Sequence, residues 1–400
     1  MGKSLREVLK SPFFSEKIRF VAFYGLFLSV STQMLYSHLA LFLKFECSSS
    51  DAQIAAIDGF VEFLSYITRI FSGAVSDYLY NRKLLLIIGC SISITIKPIF
   101  SIAHSVFTVL CAEIVERLGS GIQASPRDAL IADLSPKSKL GASFGFCKSL
   151  KTIGGILGSI IALGTILFSV NNYRLLFILS TIPANFALFY VLKIENSVKL
   201  PRKIKKFDNP FQKKYLKSMD ADFWKLILLA LTCELGHIGE SLLTLRSAQF
   251  FSQTLAGMTS VFAAIGQIMF SYFVGIASDR INKMDILKLN LFLILISYGL
   301  MFCGASGIVY LICVSILCGQ YAALQLLFLS MINTHVSINL RGTAIGIFYC
   351  VIGAAYMLAT NICGFLCQNF GYPSAFSYTF LISVVSIIFT FCLARSHRTQ

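Results

Sequence analysis

Twelve stretches of roughly 20 mostly apolar residues run through this chain, each long enough to cross a bilayer as a helix. Their limits fall near 18–43, 53–76, 84–103, 105–125, 141–168, 173–193, 223–248, 255–277, 286–304, 307–332, 342–367 and 373–394. With 56% of residues hydrophobic and 13% charged, the chain lacks the polar surface to cover such stretches in water. The mean hydropathy of +0.75 agrees. Period-two alternation of the kind that builds membrane barrels is absent. The expected fold class is all-α and polytopic, with 12 transmembrane helices.

The helices fall into two sets of six. Gly73-Ala-Val-Ser-Asp77, at the end of the second stretch, returns as Gly275-Ile-Ala-Ser-Asp279 at the end of the eighth. Gly141-Ala-Ser-Phe-Gly145 opens the fifth stretch and matches Gly342-Thr-Ala-Ile-Gly346 opening the eleventh. Two matches about half the chain apart point to duplication. An offset of six helices keeps membrane orientation, so the halves are read as parallel repeats. The one long polar stretch, Glu195 to Asp222, carries Pro201, Pro210 and a run of lysines. It lacks the apolar residues to pack alone and reads as a connector, with anionic-lipid binding as its rival role. The expected organisation is a six-helix bundle over 1–193, a basic linker over 194–222 and a second bundle over 223–400.

The net charge of +15 is a topological signal. With the N-terminus inside, 26 basic residues fall near inner loops and tails, against about three on the outer side. The positive-inside rule then puts both termini in the cytoplasm and leaves little charge to explain by nucleic acid. The expected location is a bacterial cytoplasmic (inner) membrane. Twelve cysteines without paired spacing read as small buried hydrophobes. No cleavable signal peptide or myristoylation pattern stands out at the start.

The loop Gly73-Ala-Val-Ser-Asp77-Tyr-Leu-Tyr-Asn-Arg82-Lys83 resembles the helix 2–3 signature of the major facilitator superfamily, with Tyr78 and Tyr80 replacing its usual Arg and Gly. The second copy, Gly275 to Asp279 with Arg280 and Lys283, is closer to that signature. Glu116-Arg117-Leu-Gly119-Ser-Gly121, running on to Pro126-Arg127-Asp128-Ala-Leu-Ile-Ala132, is similar to a motif of a bacterial 12-helix branch. The resemblance implies secondary transport by alternating access. It also implies a cytoplasmic gate, in which Asp77 approaches the start of helix 11 near Arg341 and Asp279 the start of helix 5 near Lys139. A carboxylate suits the exposed N–H groups at a helix start. Gly154, Gly155 and Gly158 resemble the helix 5 signature of proton antiporters, with Ser159 where that signature has Pro. Ordinary helix packing explains them equally well.

Charges inside the membrane cost about 2.5–3.5 kcal/mol each and face the bundle interior or a cavity. On helix 2, Asp58, Glu62, Ser65 and Arg69 lie within about 60° of one another at 100° per residue. Helix 4 adds Glu113, Glu116 and Arg117, helix 5 adds Lys148 and Lys151, and helix 3 adds Lys97. Two readings stand: fixed ion pairs, or a carboxylate that takes up a proton in each cycle. The resemblance assigns proton coupling to Arg117, whereas Lys151, where the branch usually has Asp, suits an anionic substrate group. Helix 7 places Glu234, His237 and Glu240 across about 120° of one face. Glu-x-x-His is a metal-ligand spacing, but without a second such motif it reads as a protonatable cavity wall. Gln33 and Tyr36 on helix 1 are the expected substrate contacts, since helices 1 and 7 line the cavity in the family.

The expected protein is a secondary transporter of a small solute, coupled to protons, with export by antiport preferred to import or facilitation. It is not expected to be an enzyme. It is expected to act as a monomer in the lipid bilayer, without cofactor, metal or nucleic acid. A polytopic enzyme would need a localised catalytic constellation, and ATP-driven transport a P-loop; neither motif occurs. A channel would need a pore-loop filter. A transporter-like sensor is the remaining rival. The orientation predicts that a C-terminal fluorescent-protein fusion lights up and a C-terminal alkaline phosphatase fusion stays inactive. The reverse pattern overturns the inside placement of the termini.

Overall fold

The computed structural model describes residues 16–79, 81–136, 140–194, 219–278, 280–336 and 341–396. Helices account for nearly all of them, and no strand occurs among them. In chain order the helices are α1 (Glu16–Phe45), α2 (Asp51–Leu79), α3 (Arg82–Ile102), α4 (Val106–Leu134), α5 (Leu140–Phe168) and α6 (α6a, Tyr173–Leu179; α6b, Thr181–Lys193). They continue as α7 (α7a, Ala221–Leu235; α7b, Glu240–Ser247) and α8 (α8a, Gln253–Ala256; α8b, Met258–Ser278). The last four are α9 (Lys283–Phe302), α10 (Gly307–His335), α11 (Arg341–Phe370) and α12 (Tyr372–Ser396).

Ten of these are long and apolar enough to cross a membrane; α2 and α4 are not among them. Both are 29 residues long and carry the charges picked out in the sequence. The observed limits follow the apolar stretches closely, with two corrections. First, α4 runs to Leu134, well past the expected 125. Its last turns are polar, and a helix keeps its own backbone bonds whether or not its side chains are apolar. Second, helix 7 breaks between Leu235 and Glu240, so Glu234, His237 and Glu240 do not share one helical face.

The repeat persists in local chemistry. Asn81 caps α3 by accepting from the Leu84 N–H at 3.1 Å, and Asn282 caps α9 by accepting from the Met284 N–H at 3.0 Å. Ser105 and Ser306 hold the N-cap positions of α4 and α10. Arg82 donates to Ala129 O at 2.6 Å, and Lys283 to Ser330 O at 3.4 Å. Every pair matches across the two halves at about the offset of the sequence repeat.

The chain divides into two compact units: Met1–Tyr36 with Thr68–Lys206, and Ser37–Ile67 with Phe207–Gln400. The first packs Ile18, Val21 and Tyr24 of α1 against Leu86 and Cys90 of α3, Leu130 of α4, Phe146 and Leu150 of α5, and Val191 of α6b. Here α5 lies hard against α1. A Cβ added at Gly154 would sit 2.3 Å from Leu26 O, and one at Gly158 would sit 2.5 Å from Val30 O. Such close approach between backbones is what small residues permit in a membrane.

In the second unit α8b and α10 meet in the same way, an added Cβ at Gly266 falling 1.8 Å from Ser315 O. The first half of α2 runs along α11. Ala55 meets Gly364, Gly59 meets Met357, and Tyr66 stacks on Tyr349 with ring centroids 5.5 Å apart. At the end of that seam Asp51 receives Lys44 at 2.6 Å and the Tyr372 hydroxyl at 3.0 Å.

Large apolar side chains remain exposed along the outer faces, among them Ile160 of α5, Phe273 of α8b, Phe292 of α9 and Leu381 of α12. A surface of this kind needs hydrocarbon to cover it. The protein is an integral, multi-pass membrane protein.

Gly266→Leu should overpack the α8b–α10 contact, at a cost of about 1–3 kcal/mol. It should lower the melting temperature and the monodisperse fraction in detergent. Gly275→Leu, where an added Cβ meets nothing within 4 Å, should change neither. Equal effects would overturn the packing argument.

Candidate functional site

In the first unit Glu116 gathers Lys97 and a set of hydroxyls around it. Its side chain and that of Lys97 are both fully buried, with Nζ 3.9 Å from Oε1. The same Oε1 accepts from Ser93 Oγ at 2.6 Å, and the other carboxylate oxygen accepts from the Tyr36 hydroxyl at 3.5 Å. Lys97 donates to Ser31 Oγ, whose hydroxyl donates in turn to Ser180 O at 2.5 Å. The backbone between α6a and α6b thereby enters the network. A buried ion pair is tolerable only when its remaining lone pairs and protons are also satisfied, and here serines and a tyrosine do so. Arg117 lies over the Tyr36 ring, 4.1 Å from its centroid. Glu113 is buried on the same helix, and Gln33 packs beside Gly158 of α5.

In the second unit the break in α7 gathers the polar groups. His237 Nδ1 lies 2.7 Å from Glu234 Oε1. The imidazole stacks on Tyr321 at 3.7 Å and 3°, with Tyr356 edge-on at 5.0 Å. A helix broken at membrane depth must find new partners for its backbone, and tyrosine hydroxyls supply them. Tyr321 donates to Gly236 O at 2.8 Å and Tyr378 to Leu235 O at 3.0 Å, while Tyr298 accepts from the Ile238 N–H at 3.3 Å. Gly239 opens α7b, and Asp58 of α2 closes against it. A Cβ there would fall 2.7 Å from Asp58 Oδ2, the oxygen that accepts from the Tyr356 hydroxyl at 3.4 Å. Glu62 lies within electrostatic range of the same tyrosine, and Glu240 begins α7b. Among the described residues no three His, Cys, Asp or Glu side chains come together as metal ligands.

Three basic members of the expected gate, Arg82, Lys83 and Lys283, have partners within their own units. Arg82 pairs with Asp133 of α4, Lys83 donates to Leu192 O at 2.8 Å, and Lys283 reaches the backbone of α10. Arg280 and Arg341 are exposed, and added Cβ atoms at Gly275 and Gly342 meet nothing within 4 Å. Asp279 and Lys139 lie outside the described residues, as do the surroundings of Gly73 and the side chain of Asp77.

A family model described as Major Facilitator Superfamily matches the chain twice, over residues 21–245 and 223–400. The chain belongs to the Major Facilitator Superfamily. It is similar to an uncharacterized MFS-type transporter of Methanocaldococcus jannaschii, 23% identical over 93% of both chains. Among solved structures it is similar to a POT family transporter in complex with a thioalcohol-conjugated peptide, with a TM-score of 0.80, 12% identity and 96% of each chain covered. It is also similar to a D-xylose-proton symporter, with a TM-score of 0.72, 16% identity, and 93% of this chain and 96% of that one covered. The fold is that of the superfamily, and the protein is a membrane transporter. The superfamily is a class of transporters, not of enzymes.

Two features of this transporter escape sequence reading. The serines and tyrosines around Glu116 and the α7 break are common residues that no local pattern marks, and Lys97 finds Glu116 only once α3 and α4 are packed. The contact of Asp58 with Gly239 joins α2 to α7 across nearly half of the chain. A signal for the break was present in Gly236-His-Ile-Gly239, since two glycines three apart weaken a helix.

Lys97→Met should destabilise the protein strongly in detergent, by about 3–5 kcal/mol, because it leaves the Glu116 carboxylate buried without its counter-charge. Lys97→Met combined with Glu116→Leu should recover much of the melting temperature. A double variant no better than the single one would overturn the pairing.

Proposed function

We propose that this protein is a single-chain secondary transporter that moves a small solute by alternating access, coupled to protons, with export by antiport the favoured direction. The observation that carries the coupling is the broken α7. It sets His237 against Glu234 at 2.7 Å and Asp58 against Gly239, among tyrosines whose hydroxyls hold the backbone. Such a site has the parts for proton exchange. An imidazole that can carry or release a proton sits beside carboxylates, and rigid partners keep the break open. Glu62 and Glu240 extend the same acidic surround, and Glu113 with Arg117 forms the second candidate set, in the first unit.

Fixed pairing accounts for Glu116, which Lys97 and Ser93 hold in a fully buried setting. Tyr36 joins Glu116 to Arg117 and is the favoured substrate contact on α1, with Gln33 one turn earlier. The glycine row of α5 resembles the antiporter signature, with Ser159 in place of its Pro, and also serves to pack α5 on α1.

The test uses proteoliposomes loaded with the pH dye pyranine and a panel of metabolites offered one at a time under an imposed pH gradient. At least one solute should move protons across the membrane, and the sign of the dye response reads antiport or symport. Glu234→Gln and Asp58→Asn should each cut that proton flux at least about tenfold, in the range expected for loss of a general acid–base group. Solute flux indifferent to the gradient would overturn proton coupling in favour of a facilitator.

A further inference from the structure

Lys148 and Lys151 stand in the membrane-spanning part of α5, exposed, and their ammonium groups make no hydrogen bond or ion pair among the described residues. They do not face lipid. At about 100° per residue, Lys148, Gly154, Gly155 and Gly158 lie within about 60° of Lys151, whereas Ile153, Ile160 and Leu167 lie about 160–200° away. The glycine side of α5 is the side pressed on α1, where a Cβ added at Gly25 would sit 3.8 Å from Lys151 Cβ.

Two further cations come from neighbouring helices of the same unit. Arg127 of α4 and Arg69 of α2 are within electrostatic range of Lys151, as is Lys148. Helices α2 and α4 touch beside them, since Ser125 Oγ donates to Arg69 O at 3.0 Å and a Cβ at Gly121 would meet Thr68. The four also share a depth. Counted at 1.5 Å per residue, Lys148 and Lys151 lie about 12 and 16 Å from the start of α5. Arg127 and Arg69 lie about 10 and 15 Å from the ends of α4 and α2. Asp128 offsets part of this charge but is engaged by Arg127, whose Nη2 and Nε donate to it at 2.9 and 3.0 Å.

The geometry points to an oxyanion site formed by Lys148 and Lys151 of α5 with Arg127 of α4 and Arg69 of α2, accepting a carboxylate or phosphate group. Like charges held close together repel, the more so where water is excluded. A bound oxyanion relieves that repulsion and gives both lysines the acceptors they lack. Arginine matches a planar oxyanion with a fork of donors, and lysine adds mobile point charges. The oxyanion can come from a water-soluble solute or from an anionic lipid headgroup reaching in along α5.

Binding is measured on the full-length protein in neutral detergent by thermal shift, with inorganic phosphate and succinate as probes and chloride as the ionic-strength control. In parallel, phosphatidylglycerol retention is read by native mass spectrometry. Saturable stabilisation by phosphate or succinate assigns the site to solutes, and selective retention of phosphatidylglycerol without it assigns the site to headgroups; either outcome supports an oxyanion site. Lys151→Gln and Lys148→Gln should each weaken the apparent Kd about tenfold, the loss expected for a charge-assisted hydrogen bond. Lys151→Arg should keep binding, and Lys288→Gln, at an exposed α9 pair with Asp285, should leave it unchanged. Neither probe nor lipid binding, or unchanged binding in a well-folded Lys151→Gln, overturns the site. These readouts need no transport, so their failure is separable from failure of the proton-coupled reading.

Discussion

Hydrocarbon offers a broken helix no water to replace the backbone hydrogen bonds it gives up. Helix α7 is broken in mid-span nonetheless, and much of the second unit is arranged around making that break tolerable. Tyrosines from α9, α10 and α12 turn their hydroxyls onto the freed backbone groups of residues 235–238. The ring of Tyr321 also carries the stacked imidazole of His237. Remove that support and the unwound segment has to re-form helix or take up water. The titratable groups of the second unit are thus held by the same contacts that satisfy the chain's own backbone.

The first unit handles charge in two contrasting ways. Lys97 and Glu116 are fully enclosed and have each other, two serines and a tyrosine as partners. That arrangement suits permanent structure, because a buried charge stripped of its partner is among the costliest defects a protein can carry. Lys148 and Lys151 are open and lack such partners among the described residues. Charge that stays accessible and unsatisfied is suited to meeting something that arrives from outside.

Much of the architecture was legible in the sequence because the bilayer imposes simple rules. Apolar stretches marked where the helices lie, although α2 and α4 are less apolar than the other ten, and the Gly-x-x-Ser-Asp copies revealed the duplication that Asn81 and Asn282, and Arg82 and Lys283, repeat in three dimensions. Asp58, Glu62, Arg69, Glu116 and Lys151 stood out because charge is rare in such helices. Their partners were not legible. Nothing about Ser31, Ser93, Tyr298 or Tyr321 distinguishes them from other small or aromatic residues until packing brings them to a carboxylate or a free carbonyl. The expected single face of Glu234, His237 and Glu240 failed because periodicity assumes an unbroken helix.

By itself the sequence determined the class of molecule, the placement of its apolar helices and the two-fold repeat, since these depend on composition and periodicity summed over long stretches. The tertiary structure alone decided that residues 37–67 pack with the second unit, that α7 opens at Gly236–Gly239, and which acids are locked and which bases are left accessible. Those outcomes turn on contacts of a few ångströms between distant residues, such as Asp58 beside Gly239 or Lys97 beside Glu116. A bilayer reads hydropathy along the chain, but pairing between polar groups is decided by shape.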